Sequence, residues 1–98
     1  MAVFTKKNVP NTSEKRAFAT VLLELRERRG FTQEQLGFES GYHPKYISLL
    51  ERARFSPSLT AILELADSLG ISASEMVRRV EKMLPRDRAR RRDIRPIR

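Results

Sequence analysis

Apolar side chains recur along this chain with the spacing of helices rather than of strands. In the segment that starts at Ser13, large apolar residues stand at i, i+3, i+4 and i+7, which places them on one face of a helix. They are Phe18, Val21, Leu22 and Leu25. Arg28 and Arg29 complement the negative end of a helix, and Gly30 suits the left-handed conformation that ends one. The pattern predicts a first helix from Ser13 to the arginines before Gly30.

Two short helices are predicted inside the segment TQEQLGFESGYHPKYISLLER, which runs from Thr32 to Arg52. Thr32 can cap the first helix, Gly41 can end it, and Pro44 suits the first turn of the second. Gly37 stands where two steeply crossing helices bring their backbones close together. The positions predicted to be buried are Leu36, Ile47 and Leu50. Two helices joined in this way form a helix-turn-helix.

A fourth helix is predicted after a loop that contains Pro57. Ser56 or Ser58 can cap this helix, with Pro57 near its first turn. Gly70 ends it. Its predicted core face consists of Leu59, Ile62, Leu63, Ala66 and Leu69.

A fifth helix is predicted to begin with a capping box, in which the Ser72 hydroxyl and the Glu75 carboxylate satisfy each other's free backbone donors. Pro85 ends this helix. One face carries more apolar side chains than the end of a small helical core needs: Met76, Val77, Val80 and Met83. Homodimers commonly use such apolar patches, so we predict that this face is a dimer interface.

Length and composition favour one small, soluble domain. The chain has 98 residues, of which 40% are hydrophobic and 33% are charged. We predict an all-α fold with a compact five-helix domain at residues 13–84, a flexible arm at residues 1–12 and a disordered basic tail at residues 85–98. A core of this size buries only about 60% of the surface of its unfolded chain, so a partner subunit would stabilise it.

Cysteine usage and hydropathy indicate the compartment. The chain has no cysteine, which agrees with a reducing environment. Its apolar stretches are interrupted by charged residues, so neither a signal peptide nor a membrane span is predicted. We therefore predict a cytoplasmic protein without a membrane partner.

The charge of the chain points to a polyanionic partner rather than to catalysis. The formal net charge is +8, and phosphate backbones attract excess Lys and Arg. Residues 85–98 contain seven Arg and two Asp, so they hold +5 of this excess. One histidine, no cysteine and four isolated glycines provide no catalytic constellation, phosphate cradle or metal-ligand set. We predict no enzymatic activity, no cofactor, no metal and no small-molecule ligand.

The run LRERRGFTQEQLG, followed by SGYHPKYISLLER, SPSL and LADSLGIS, resembles the Cro/C1-type (XRE) helix-turn-helix family. This family of prokaryotic and phage regulators includes the small controller proteins of restriction-modification systems. The resemblance covers residues from about Phe18 to Met83 and implies a lambda-repressor-like domain, double-stranded DNA as the ligand and usually a homodimer. In one departure, Ala53 stands where the family commonly has Gly after its Glu-Arg or Glu-Asn pair, and Ala resists the left-handed backbone that Gly allows.

The second helix of a helix-turn-helix lies in the major groove, with its N-terminal residues against base edges. The residues that this placement selects are His43, Pro44, Lys45, Ser48 and Leu49. Lys45 can address guanine O6 and N7, Ser48 can donate or accept, and Leu49 can meet a thymine methyl. Simpler roles are a helix cap for His43 and a phosphate contact or solvation for Lys45. Ser48 can equally be a surface hydroxyl, and Leu49 a core or interface residue.

Phosphate contacts are expected on either side of these residues. By resemblance, Gln33 uses its amide and the N-terminal N–H groups of the first motif helix on a phosphate, and Thr32 assists. Tyr46 can place its hydroxyl on the other strand. Arg52 and Arg54 belong to the family's second phosphate-facing loop, although Arg52 can instead pair with an acid of the first motif helix.

These observations favour a sequence-specific DNA-binding transcriptional regulator that acts as a homodimer on a pseudo-palindromic operator. One alternative is an antitoxin or adaptor-type protein-interaction module that uses the same fold. Another is nonspecific binding of nucleic acid, including RNA, through the arginine-rich tail.

Overall fold

The computed structural model describes residues 13–84, which form five helices and no strand. The helices are α1 (Ser13–Arg28), α2 (Gln33–Ser40), α3 (Pro44–Glu51), α4 (Leu59–Leu69) and α5 (Ala73–Lys82). The all-α, five-helix prediction is confirmed. The predicted arm at residues 1–12 and the predicted tail at residues 85–98 lie outside the described residues. None of the five helices is long and apolar enough to cross a membrane.

One core joins all five helices. Its fully buried side chains include Leu22 of α1, Leu36 of α2, Ile47 and Leu50 of α3, Leu65 of α4 and Met76 of α5. The predicted face of α1 and the three predicted buried positions of the helix-turn-helix are confirmed. Gly37 allows the turn before α3 to pack closely on α2, because a Cβ there would lie 2.5 Å from the carbonyl oxygen of Tyr42.

The start and end of α2 follow from local hydrogen bonds. Thr32 caps α2 by accepting from the backbone N–H of Gln35, and the Gln35 side chain accepts in return from the backbone N–H of Thr32. Gly41 ends α2 with φ 85°, a conformation that glycine adopts without strain. These contacts fix where the helix-turn-helix begins and turns.

The predicted core face of α4 was partly wrong. Leu59 and Leu63 are exposed, whereas Ala61 and Leu65 are fully buried. Apolar residues occupy almost every side of α4, so their spacing fits more than one face, and packing against α2 and α5 selects the face. Ser58 caps the helix, and Pro57 precedes the cap instead of entering the first turn.

The start and the apolar face of α5 also differ from the prediction. Ser72 accepts from the backbone N–H of Glu75, but the Glu75 carboxylate bonds to Arg78 and Arg79 rather than closing the capping box. The interface prediction is wrong for Met76, because this side chain is fully buried in the core of its own protomer.

The other three predicted interface residues of α5 differ in exposure. Val80 is half-buried and packs against the core. Val77 and Met83 are exposed. The dimer interface on α5 stays a prediction for these residues.

The turn after α3 contains a strained residue. Ala53 has φ 60°, in the left-handed region where the Cβ of an L-residue crowds its own backbone. Its N–H donates to the carbonyl oxygen of Leu50, and the N–H of Arg54 donates to that of Leu49. The turn therefore keeps the conformation that glycine favours, although alanine occupies it.

Candidate nucleic-acid interface

His43 and Pro44 define the start of α3. The Nδ1 atom of His43 accepts from the backbone N–H of Lys45 at 2.9 Å, which confirms the simpler role of His43 as a helix cap. In a neutral imidazole whose Nδ1 accepts, the proton is carried by Nε2. His43 is exposed, so this N–H is open to a ligand. Pro44 occupies the first turn of α3, where its missing N–H leaves no hydrogen bond unmade.

The side of α3 opposite to Ile47 and Leu50 faces away from the core. Lys45 is exposed, and its ammonium group makes no hydrogen bond or ion pair with another described residue. Ser48 and Leu49 are half-buried. This side therefore presents a free cation, a hydroxyl and an apolar side chain, and their contacts with bases remain a prediction.

The carboxylate of α3 is held inside the protein. Glu51 has a side chain that is only 5% exposed, and it pairs with Arg26 of α1 through two hydrogen bonds of 2.6 and 3.0 Å. Arg26 also donates from Nη1 to the carbonyl oxygen of Phe31 at 2.8 Å. The hydrogen bonds that Arg26 donates to Glu51 raise the pKa of Arg26 above its ordinary value, so the guanidinium remains charged.

Gln33 belongs to the same network. Its Nε2 atom donates to Oε1 of Glu51 at 2.9 Å, which fixes the orientation of the amide at the N-terminus of α2. One N–H of that amide remains available, so the predicted phosphate contact is compatible with the network and stays a prediction. Arg26 was not predicted as a positioning residue, because its partner lies 25 residues away in the sequence.

Tyr46 packs in a row of aromatic side chains. Its ring centroid lies 5.0 Å from that of Tyr42 and 6.3 Å from that of Phe55. Burial raises the pKa of Tyr46, and its hydroxyl bonds to no other described residue. The Tyr42 hydroxyl donates to Glu64 at 2.7 Å, and this hydrogen bond is the main cause that raises the pKa of Tyr42 to about 12.

The cations that follow α3 are open to a ligand. Arg52 and Arg54 are exposed. The Nε atom of Arg52 donates to the Ser48 hydroxyl at 3.3 Å, so the predicted alternative, an ion pair with an acid of α2, is not formed. Thr32 uses its hydroxyl oxygen in the capping box of α2 and retains the hydroxyl proton as a donor. Across residues 13–84, no group of three His, Cys, Asp or Glu side chains is arranged to hold a metal ion.

Comparisons with known proteins agree with this architecture. The model of the helix-turn-helix family matches residues 22–76. An uncharacterised HTH-type transcriptional regulator of Sinorhizobium fredii is 43% identical over 53 residues, which cover 54% of this chain and 69% of that protein. A hypothetical transcription factor of Neisseria meningitidis is 30% identical over 70 residues, covering 70% of this chain and 66% of that protein.

Solved structures show the same fold. The restriction-modification controller protein C.AhdI from Aeromonas hydrophila is 37% identical, with a TM-score of 0.64 over 66% of this chain and 98% of its own. The clp gene regulator ClgR from C. glutamicum is 25% identical, with a TM-score of 0.69 over 74% of this chain and 95% of its own. The chain therefore belongs to the Cro/C1-type (XRE) helix-turn-helix family of DNA-binding transcriptional regulators.

Proposed function

We propose that this protein regulates transcription by binding a pseudo-palindromic operator as a homodimer. The observation that carries the proposal is the outward side of α3, which offers Lys45 and Ser48 while the helix's carboxylate, Glu51, is neutralised inside the domain. A free carboxylate on this side would repel phosphates at close range. Because the Glu51 carboxylate is paired inside the domain, the outward side of α3 suits the major groove.

Three residues of α3 are proposed to read bases. Lys45 stands in the first turn, where recognition helices meet base edges, and its free ammonium suits the O6 and N7 acceptors of guanine. Ser48 and Leu49 stand one turn further along, and Leu49 suits a thymine methyl. His43 caps the helix, so we assign its Nε2–H to a phosphate rather than to a base.

Phosphate contacts are proposed at both ends of the motif. Gln33, oriented by Glu51, and the N-terminal N–H groups of α2 face one strand. Arg52, Arg54 and the free hydroxyl of Tyr46 face the other strand. These contacts fix the position of α3 in the groove without reading sequence.

A second copy is proposed to cover the exposed apolar surface at the start of α4. Leu59 is 71% exposed, and Leu63 and Phe55 are also exposed. At α5, Val77 is 43% exposed and Met83 is 49% exposed, and Met76, which was predicted at the interface, is fully buried. The larger free apolar surface therefore lies at the start of α4.

The position of α4 also suits paired recognition helices. A short loop joins α3 directly to α4, whereas α5 packs mainly on α1 and α4. A two-fold axis at the start of α4 keeps the two copies of α3 near that axis. Recognition helices near an axis can enter successive major grooves, which lie about 34 Å apart.

Selection of bound sequences from random duplex DNA tests the proposal. Lys45→Ala should weaken binding to the selected site by about 1–3 kcal/mol and relax the preference at one base pair. Gln33→Ala should weaken binding to all sequences similarly, because phosphates carry no sequence information. Lys82→Ala, on the exposed end of α5, is the matched control and should change neither property.

The result that contradicts the base-reading assignment is an unchanged preference profile for Lys45→Ala. Failure to enrich any sequence, combined with binding to a protein in preference to DNA, would instead favour the adaptor-type module.

A further inference from the structure

The outer face of α2 carries an exposed phenylalanine, Phe38, with two carboxylates on the same side of the helix. Phe38 is 86% exposed, more than any other large hydrophobic side chain in the described part of the chain. Glu34, Gln35 and Glu39 are also exposed. Glu34 and Gln35 stand four and three residues before Phe38, which makes them its neighbours on the helix surface, and Glu39 follows it on the exposed side of α2. We call these four residues the α2 face. Neither the Glu34 nor the Glu39 carboxylate makes a hydrogen bond or an ion pair with another described residue.

Neither the fold nor a nucleic acid accounts for the α2 face. The helix buries Leu36 and Gly37 and packs on α3 and α4, so the core does not use Phe38. Phosphates repel the two carboxylates, so DNA does not suit this surface. An occupant that matches the α2 face is cationic and carries apolar side chains.

We propose that the α2 face binds the C-terminal segment of this chain, residues 90–98, with the sequence RRRDIRPIR. Five arginines in this segment can pair with the carboxylates, since guanidinium groups bind carboxylates through two parallel hydrogen bonds. Ile94 and Ile97 supply the apolar contact for Phe38. Arginine also stacks on aromatic rings, so both components of the segment suit an exposed phenylalanine between two acids.

The length of the chain permits this contact. The described domain ends at Leu84, and the five residues from 85 to 89 span about 17 Å when fully extended. Ile94 stands ten residues after Leu84, so it can lie up to about 33 Å from it. A compact domain of 72 residues is roughly 30 Å across. A short covalent connection gives an effective concentration of order millimolar, so individually weak ion pairs suffice for docking.

Polyanions compete with the α2 face for the arginines of the docked segment. Duplex DNA carries one negative charge per about 1.7 Å of its axis, far denser than the two carboxylates of the α2 face. A nucleic acid therefore removes the arginines from the α2 face and exposes Phe38. The segment is held on the domain in the free protein and released by an anionic ligand. Docking in the free protein does not depend on the proposed operator binding.

Paramagnetic NMR on the full chain tests the docking. The chain contains no cysteine, so Arg98→Cys provides a single attachment point for a nitroxide spin label. Amide signals of residues 34–39 should lose intensity in the free protein, and the loss should disappear when the label is reduced. Phe38→Ser combined with Glu39→Gln should abolish the loss, whereas Val77→Ser, another exposed apolar position and one outside the proposed dimer interface, should preserve it.

Two results would overturn the proposal. One is a loss of intensity that is centred on Leu59 or Val77 instead of α2, which would mean that the segment docks on another apolar surface. The other is a weak loss spread evenly over the domain, which would mean that the segment has no docking site. Phe38 is almost fully exposed, so its substitution should leave the helical circular dichroism unchanged and keep the test interpretable.

Discussion

The backbone of Ala53 is strained at the end of the recognition helix. Its φ of 60° costs an L-residue roughly 1–2 kcal/mol relative to a right-handed conformation. The turn keeps this conformation because Leu49 and Leu50 provide carbonyl oxygens to the N–H groups of Arg54 and Ala53. The exposed Arg54 is therefore positioned by the same backbone that bears the strain.

Ala53→Gly should stabilise the domain. Relief of the left-handed strain outweighs the greater freedom of glycine in the unfolded chain, for a net gain of about 0.5–1 kcal/mol. Urea unfolding measures the change. Gly41→Ala is the matched control, because Gly41 has φ 85° and open space around the position of a Cβ. That substitution should destabilise the domain, and a loss of stability in Ala53→Gly would contradict the assignment of strain.

At the scale of helices, the sequence identified where elements begin and end more reliably than which face they bury. Glycines and capping side chains act on their own neighbours, so Thr32, Gly41 and Gly70 could be placed from local sequence alone. The face of α4 could not, because that helix is apolar on most sides and its neighbours decide its rotation. Met76 was assigned to an interface because one face of α5 carries more apolar side chains than the end of a small core needs, and packing against α1 and α4 buries it.

In the candidate interface, too, local sequence determines some features and packing between helices determines others. The outward direction of Lys45 followed from the burial of Ile47 and Leu50, which the spacing predicted. The orientation of Gln33 did not, because it depends on Glu51 and Arg26, which lie far from it in the sequence. The positions of the site residues therefore follow from local sequence, whereas contacts between helices set the orientation of side chains such as Gln33.

Glu51→Gln should destabilise the domain and loosen the start of α2. The change leaves the largely buried Arg26 without a counter-charge, which costs on the order of 3 kcal/mol. For a domain of this size, thermal unfolding should begin more than about 10 °C lower. Glu75→Gln removes a carboxylate that is 31% exposed and also pairs with arginine, and it should have little effect. Equal effects of the two substitutions would contradict a structural role for the Arg26–Glu51 pair.

At the scale of the whole molecule, the proposed dimer should depend on the start of α4. Leu59→Asp places a charge in the proposed interface and should give monomers with intact helicity, measured by sedimentation and circular dichroism. Val77→Asp changes an exposed residue of α5 and should leave the dimer intact. Monomers from Val77→Asp together with dimers from Leu59→Asp would instead indicate an interface on α5. Unmodified protein that stays monomeric at high micromolar concentration, with or without DNA, would contradict the homodimer itself.

The arginine-rich tail should add affinity for DNA without adding sequence preference. Arginines that leave the α2 face can follow phosphates or enter a narrow minor groove, as basic arms do. Truncation after Leu84 removes seven arginines from the chain. If two or three of them contact phosphates, the slope of log affinity against log salt should decrease by about 2–3, because each phosphate contact contributes about 0.9. The set of selected sequences should stay the same. An unchanged slope would mean that the tail makes no phosphate contact, and loss of the dimer on truncation would mean that the tail binds a second copy of the chain instead.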